Sequence, residues 1–259
     1  MSEAIKQRVK HWAHFATFPI RSVVDGRFSP CVFLPTTSGW KAWTHGRIIP
    51  IAFPCTQAVE YYRERVPRRG GIVFDVGGEL GLETLQFSQL VGPEGKVFTF
   101  ECYPPHLNRL RELAKQRSNI IVVPKACWDC QTCLDLMTGH TPGSNTAIPN
   151  ARGQRGQALG NSQDAKTTVE ADTLDNIWMS LHGGATVDFL KMDIEGAEYE
   201  ALAGAKEMLK KTRYAVIAAY HLRDGIRTAW KVAQQLQTAG FEVSVGDNLH
   251  VYATNTSMV

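Results

Sequence analysis

Three glycines crowd into Phe74-Asp75-Val76-Gly77-Gly78-Glu79-Leu80-Gly81, where a short apolar run gives way to a helical pattern. Glycine at a strand-to-helix turn lets the backbone bend tightly and come close to a ligand where a Cβ would collide, so the segment predicts a nucleotide-like cofactor. A dinucleotide fingerprint would need glycine at 77, 79 and 82, but Glu79 and Leu82 stand at two of those places, and a Walker loop is absent. The acids narrow the choice further. Carboxylates at Asp75 and Glu79 would repel a pyrophosphate, whereas the ammonium and sulfonium of S-adenosylmethionine tolerate acidic neighbours.

A second carboxylate, Glu101, closes the next β-rich run about one βαβ unit later. There it can accept two hydrogen bonds from a ribose diol. Taken alone, an acid at a strand end reads equally well as a solvated edge residue, and its pairing with the glycine turn is what favours binding. Two more candidates stand at the ends of later runs: Asp193, and His221 in Tyr220-His221-Leu222-Arg223-Asp224. Asp193 or Glu195 can also be read as capping the following helix, and His221 as a satisfied buried histidine. Lys191 and Glu198 have ordinary structural readings. Asp193 with Glu195 offers two oxygen ligands to a divalent cation, but no third ligand is evident, so the sequence favours a site without metal. The even spacing of Cys127, Cys130 and Cys133 suggests zinc or iron–sulfur, but no fourth ligand lies nearby; the stretch reads as two short strands around a turn with structural thiols.

The elements that must position these groups alternate between two periods. β-rich runs at 72–76, 96–101, 119–123, 187–193 and 214–220 are mostly followed by amphipathic stretches, which predicts a parallel sheet covered by helices. Pro104 and Pro105 open a helix with Leu107, Leu110 and Leu113 on one face, and Ile226 to Leu236 repeats the pattern before Gly240. Runs at 241–245 and 249–253 flank Gly246-Asp247-Asn248, which predicts a closing antiparallel pair. Residues 1–68 read as an N-terminal extension capping the sheet, with a helix from Thr56 to Val66 stopped by Pro67, and residues 69–259 as the cofactor-binding domain. Residues 138–166 are too polar to form much core and read as a flexible loop or substrate lid.

Composition limits the classes. At 259 residues, 44% hydrophobic, the chain can bury roughly 70–75% of its unfolded surface. No run approaches the roughly 20 apolar residues that cross a bilayer, and no cleavable leader is recognisable, so the expected location is cytoplasmic. A net charge of +3 is too mild to argue for nucleic acid.

The Asp-x-Gly-x-x-x-Gly turn, Phe100-Glu101 followed by Pro104, Asp172-Thr173-Leu174-Asp175, and above all Leu190-Lys191-Met192-Asp193-Ile194-Glu195-Gly196-Ala197-Glu198 resemble the FkbM-type methyltransferases over roughly Gly71 to Thr254. The resemblance implies a doubly wound α/β fold, a mostly parallel seven-stranded sheet with an antiparallel last strand. It implies S-adenosyl-L-methionine as cofactor and, as acceptor, a hydroxyl on a sugar, polyketide or related small molecule. Carried over by position, Asp75, Gly77, Gly78, Glu79 and Gly81 shape the methionine end of the site, Glu101 and Cys102 the ribose end, and Ala126 and Cys127 the adenine border, with Asp193 on the cofactor's flank. Glu79 and Glu83 depart from the family pattern, which usually has a small or amide residue at the first place and often an aromatic one at the second. Methyl transfer is an in-line displacement, and removal of the hydroxyl proton is assigned to His221 as base with Asp193 as orienter. Two rival classes remain open: an NAD-dependent oxidoreductase, and a binding protein that keeps the cofactor fold without turnover.

Overall fold

A computed structural model of the chain describes residues 31–36, 39–44, 46–51, 54–139, 144–154, 157–160 and 166–259. The chain divides into two compact units between Val66 and Pro67. In the first, β1 (Cys31–Thr36), β2 (Gly39–Thr44) and β3 (Arg47–Ile51) form an antiparallel sheet in that order. Cys31 and Phe33 are buried while Val32 and Leu34 are exposed, the period of two that gives a sheet one dry face. Pro35, Gly39 and Pro50 hide this pattern in the sequence, because each is depleted in strands. The helix expected to reach Val66 is cut short: α1 (Thr56–Glu60) ends after five residues. Ala58 to Tyr62 are all buried, and no single helical face can bury consecutive residues, so the chain turns instead. Residues 1–30, which carry much of the expected cap, lie outside the described residues.

The second unit holds the alternation. In chain order it contains β4 (Ile72–Val76), α2 (Leu82–Val91), β5 (Lys96–Phe100), α3 (Pro104–Gln116), β6 (Ile120–Val123), β7 (Ala126–Cys127), β8 (Thr132–Met137), β9 (Lys166–Asp172), α4 (Leu174–His182) and β10 (Val187–Met192). It continues through α5 (Glu198–Ala203), α6 (Lys206–Lys210), β11 (Thr212–Ala218), a small hairpin of β12 (Leu222–Arg223) and β13 (Ile226–Arg227), α7 (Ala229–Thr238), β14 (Phe241–Val245) and β15 (His250–Asn255). Seven strands form one sheet in the order β14-β15-β11-β10-β4-β5-β6. The strands from β11 to β6 run parallel, and only β15 is reversed against both its neighbours. The closing hairpin therefore folds inward, and β14 rather than the reversed strand forms the edge.

All six residues of β10 are buried, as expected of a central parallel strand with both faces covered. On β4 and β5, Phe74 packs its ring 5.1 Å from Phe98 and 5.2 Å from Phe100, contacts worth about 0.5–1.5 kcal/mol each beyond area burial. Pro104 stands in the first turn of α3, and the Thr173 hydroxyl accepts the Asn176 N–H at 3.0 Å to cap α4.

The cysteine-bearing strands differ from expectation. β7 and β8 do not pair with each other; β9 lies between them, parallel to β7 and antiparallel to β8. Residues 138–166 also contribute more core than their composition suggests. Ile148, Ala151 and Leu159 are buried in one apolar cluster with Ala197, and Arg152 exchanges backbone hydrogen bonds of 3.0 and 2.8 Å with Leu222. Residues 140–143, 155–156 and 161–165 of the expected lid lie outside the described residues. Among the described residues no helix is long and apolar enough to cross a membrane.

Candidate functional site

The sheet changes direction of winding at β4, with β5 on one side and β10 on the other, and open α/β sheets hold ligands in the crevice at such a point, outside the carboxyl ends of the strands. The glycine turn follows β4, Glu101 follows β5, Asp193 follows β10 and His221 lies three residues past β11.

At the turn, Gly77 has φ 86° and Gly81 φ 84°, conformations that side chains rarely adopt. A Cβ at Gly77 would stand 1.9 Å from the Asp193 carbonyl oxygen, and one at Gly78 would stand 2.1 Å from Thr99 Oγ1. The N–H groups of Gly77 and Gly78 both donate to the Phe100 carbonyl, at 3.0 and 2.9 Å, so the turn hangs from the end of β5. Glu79, also left-handed at φ 46°, donates its N–H to Glu101 Oε2 at 2.9 Å. The other Glu101 oxygen accepts the N–H groups of Cys102 and Tyr103, each at 2.8 Å, and His106 Nδ1 lies 3.6 Å from Oε2. A carboxylate has roughly four lone-pair directions, so Oε2 keeps one for a further donor.

Beneath the turn sits a buried ion pair. Lys191 Nζ lies 3.1 Å from Asp75 Oδ1 and donates to the Gly77 carbonyl at 2.6 Å, while Thr84 Oγ1 donates to Asp75 Oδ2 at 2.5 Å. Burial alone would lower the lysine pKa, but the carboxylates of Asp75, Asp193 and Glu83 outweigh it and hold the ammonium charged. Burial pushes Glu83 up to about 7 and also raises Glu79.

Across the crevice, a second cluster surrounds His221, which is 0% exposed. Its Nε2 lies 3.2 Å from Glu195 Oε2 and 3.6 Å from Asp193 Oδ1, and its Nδ1 lies 2.9 Å from Glu198 Oε1. Carboxylates thus face both ring nitrogens. The Tyr220 hydroxyl donates to Asp193 Oδ2 at 3.0 Å. Glu195 at φ 55° and Gly196 at φ 103° turn the chain so that Glu195 folds back beside Asp193, and Thr146 Oγ1 fixes that turn by donating to the Glu195 carbonyl at 2.7 Å. Burial pulls the histidine pKa down, but Glu198 and Glu195 outweigh it and raise it well above the usual range. Burial pushes Glu195 up to about 7. Burial also drives the neighbouring His250 down to about 4.

The sequence candidates are thus brought to one end of the sheet, but not all line it. Asp75 is fully buried behind the turn, held by Lys191 and Thr84. Cys127 packs in the central apolar core, where burial pushes its thiol well above the usual range, while Cys102 and Ala126 are half-buried. Cys130 and Cys133 are exposed. His221 is the third candidate cation ligand that the sequence could not supply: with Asp193 and Glu195 it offers three donor atoms within 4.8 Å of one another. Sequence reasoning also missed Tyr220, His106 and His250, and passed over Lys191 and Glu198 as structural. The one signal for Lys191 was a lysine inside β10, whose other residues, Asp188 apart, are apolar.

Residues 75–243 match the methyltransferase FkbM domain family, well over half of the chain. Over 149 residues the chain is 28% identical to the 2-O-methyltransferase NoeI of Sinorhizobium fredii, an alignment covering 55% of this chain and 60% of that relative. The fold is similar to the crystal structure of methyltransferase FkbM from Methylobacillus flagellatus, with a TM-score of 0.52 and 17% identity over 76% of this chain and 47% of that one. The chain therefore spans about half to three fifths of the length of these relatives. With its matched residues, its strand order and its glycine turn at the sheet's switch point, the chain belongs to the FkbM methyltransferase domain family and has the Rossmann-like fold of class I methyltransferases.

Proposed function

We propose that the chain transfers the methyl group of S-adenosyl-L-methionine to a hydroxyl oxygen of a small acceptor, a sugar, polyketide or related molecule. The observation that carries this reading is the convergence of the glycine turn, Glu101 and Asp193 at the carboxyl ends of three adjacent strands. Gly77, Gly78 and Gly81 leave room for the methionine portion, the half-buried Glu79 faces its positive charges, and the remaining capacity of Glu101 Oε2 takes a ribose hydroxyl. Cys102 stands beside the ribose, and Ala126 borders the adenine with Cys127 behind it in the core. The name of the Sinorhizobium relative, a 2-O-methyltransferase, favours an oxygen acceptor.

In the transfer the acceptor oxygen forms a bond to the methyl carbon as the carbon–sulfur bond breaks. Its electron pair stays on sulfur, giving neutral S-adenosylhomocysteine, and the hydroxyl proton passes from the acceptor to the Asp193 carboxylate. Most of the rate then comes from holding oxygen, carbon and sulfur in line. Asp193, partly exposed and with its backbone against the glycine turn, is the group of the acidic cluster assigned to meet the acceptor. His221 is enclosed behind it, which exchanges the roles expected from sequence: Asp193 touches the acceptor and His221 positions it. Incubating the protein with S-adenosylmethionine and a panel of hydroxylated sugars and polyketides, then reading the products by mass spectrometry, tests this. A mass gain of one methylene equivalent on an acceptor, with S-adenosylhomocysteine in equal amount, is the expected result. Folded protein that neither retains nor turns over the cofactor would overturn it.

A further inference from the structure

We propose that Asp193, Glu195 and His221 form a binding site for one divalent first-row cation of the Mn2+ type. The binding stands on these residues alone; a role for the ion in holding the acceptor oxygen rests on the methyl-transfer reading above.

Three carboxylates, Asp193, Glu195 and Glu198, surround a single imidazole that is 0% exposed. Lys191 pairs with Asp75 and the Gly77 carbonyl while its charge also acts on Asp193, and Arg223 pairs with Glu200 and the Gly196 carbonyl. Three carboxylates about one imidazole form a site where water does not screen charge, and a divalent cation bound among them would interact strongly with their oxygens. The ring orientation supplies an independent reason. Glu198, fully buried and fixed by the Gly196 N–H at 3.1 Å, stands against Nδ1. Nε2 is thereby turned toward the Asp193 and Glu195 oxygens, 3.6 and 3.2 Å away. A carboxylate behind one ring nitrogen and a metal before the other is the usual arrangement of ligating histidines.

The spacing fits as well. Two donors each about 2.1 Å from one ion lie roughly 3.0–3.5 Å apart at octahedral to tetrahedral angles; from Nε2, Glu195 at 3.2 Å falls inside that range and Asp193 at 3.6 Å just beyond it. Each ligand is held from outside the site: Asp193 by the Tyr220 hydroxyl on Oδ2, His221 by Glu198, and the Glu195 turn by Thr146. One imidazole and two carboxylates suit Mn2+ and its neighbours better than Ca2+ or a thiolate-seeking ion, and three protein ligands leave coordination positions open. Asp193 and Glu195 are partly exposed, so those positions open on the crevice.

The test is a titration of the chelator-stripped full chain with Mn2+, the free ion being read by electron paramagnetic resonance, with no cofactor or acceptor present. One bound ion per chain is expected, lost in Glu195→Gln and in Asp193→Asn. Glu198→Gln, which leaves all three ligands in place, should weaken binding roughly 10- to 100-fold. It also serves where a ligand variant fails to fold. Mn2+ remaining free at millimolar concentration with wild-type protein, or binding undiminished in Glu195→Gln and Glu198→Gln, would overturn the site. Because the titration needs no cofactor, its failure would leave the methyl-transfer reading standing, and the reverse.

Discussion

The two halves of the crevice are built by different means. On the β4–β5 side the Glu101 carboxylate is tied by three backbone N–H groups from residues 79, 102 and 103, and the glycine turn hangs on one carbonyl at the end of the neighbouring strand. On the β10–β11 side buried charged side chains face one another across residues 193–221. Backbone hydrogen bonds fix geometry at about 0.5–1.5 kcal/mol each and hold a shape ready for a ligand. Buried ionic clusters cost desolvation and are stable only while every partner is present, so they respond sharply to loss of a partner or a change of protonation. A preformed cradle on one side and a charge-sensitive cluster on the other suit a constant cofactor and a group that must handle a proton.

The largest expected effect falls where the two halves join. Lys191 lies on β10 yet holds Asp75 and the Gly77 carbonyl of the other half. Lys191→Met leaves a buried carboxylate unpaired and should cost about 3–5 kcal/mol in urea denaturation. The double variant Asp75→Asn/Lys191→Met should recover part of that loss. A cost of Lys191→Met below about 1 kcal/mol would break the claim that this pair joins the halves.

A somewhat smaller effect separates the halves by pH. His250 is buried on β15, with its ring 5.7 Å from Tyr220 and 6.3 Å from Tyr252; the charges that act on it are Asp193, His221 and Lys191. Burial, its main cause, lowers its folded pKa to about 4. The unfolded value is about 6.5, so below that pH the unfolded chain binds the proton more readily. Stability is therefore intact above about 6.5 and falls progressively as the pH drops toward 4, by roughly 3 kcal/mol in total from this group. Unfolding free energies measured across that range should lose much of their slope in His250→Gln. A slope unchanged by the substitution would assign the acid sensitivity to other groups.

The difference between the halves also explains what the sequence disclosed. The cradle was legible because its determinants are local: the glycine turn, an acid at the next strand end and the proline-opened helix lie within Phe74 to Pro105. The parallel strands were legible because buried β-rich runs keep their period even without a partner in view. The cluster was legible only in part: Asp193 and His221 could be paired from the ends of neighbouring strands, while Glu195 and Glu198 read as helix-entry acids until β11 returns His221 beside them. The same limitation hid β9 between β7 and β8, a pairing decided by residues 29 or more positions away in sequence. In the first unit, prolines and Gly39 masked a strand alternation that cross-strand pairing restores.

The account's central claim is that the cradle binds S-adenosylmethionine with Glu101 on the ribose. Calorimetric titration of wild-type protein and Glu101→Ala with S-adenosylmethionine and S-adenosylhomocysteine tests it most directly, with circular dichroism to verify the fold. One site per chain is predicted for wild type, and an affinity loss of about 1.5–3 kcal/mol, roughly ten- to hundredfold, for the variant. Equal affinity in the two folded proteins, or no heat of binding in either, would contradict it.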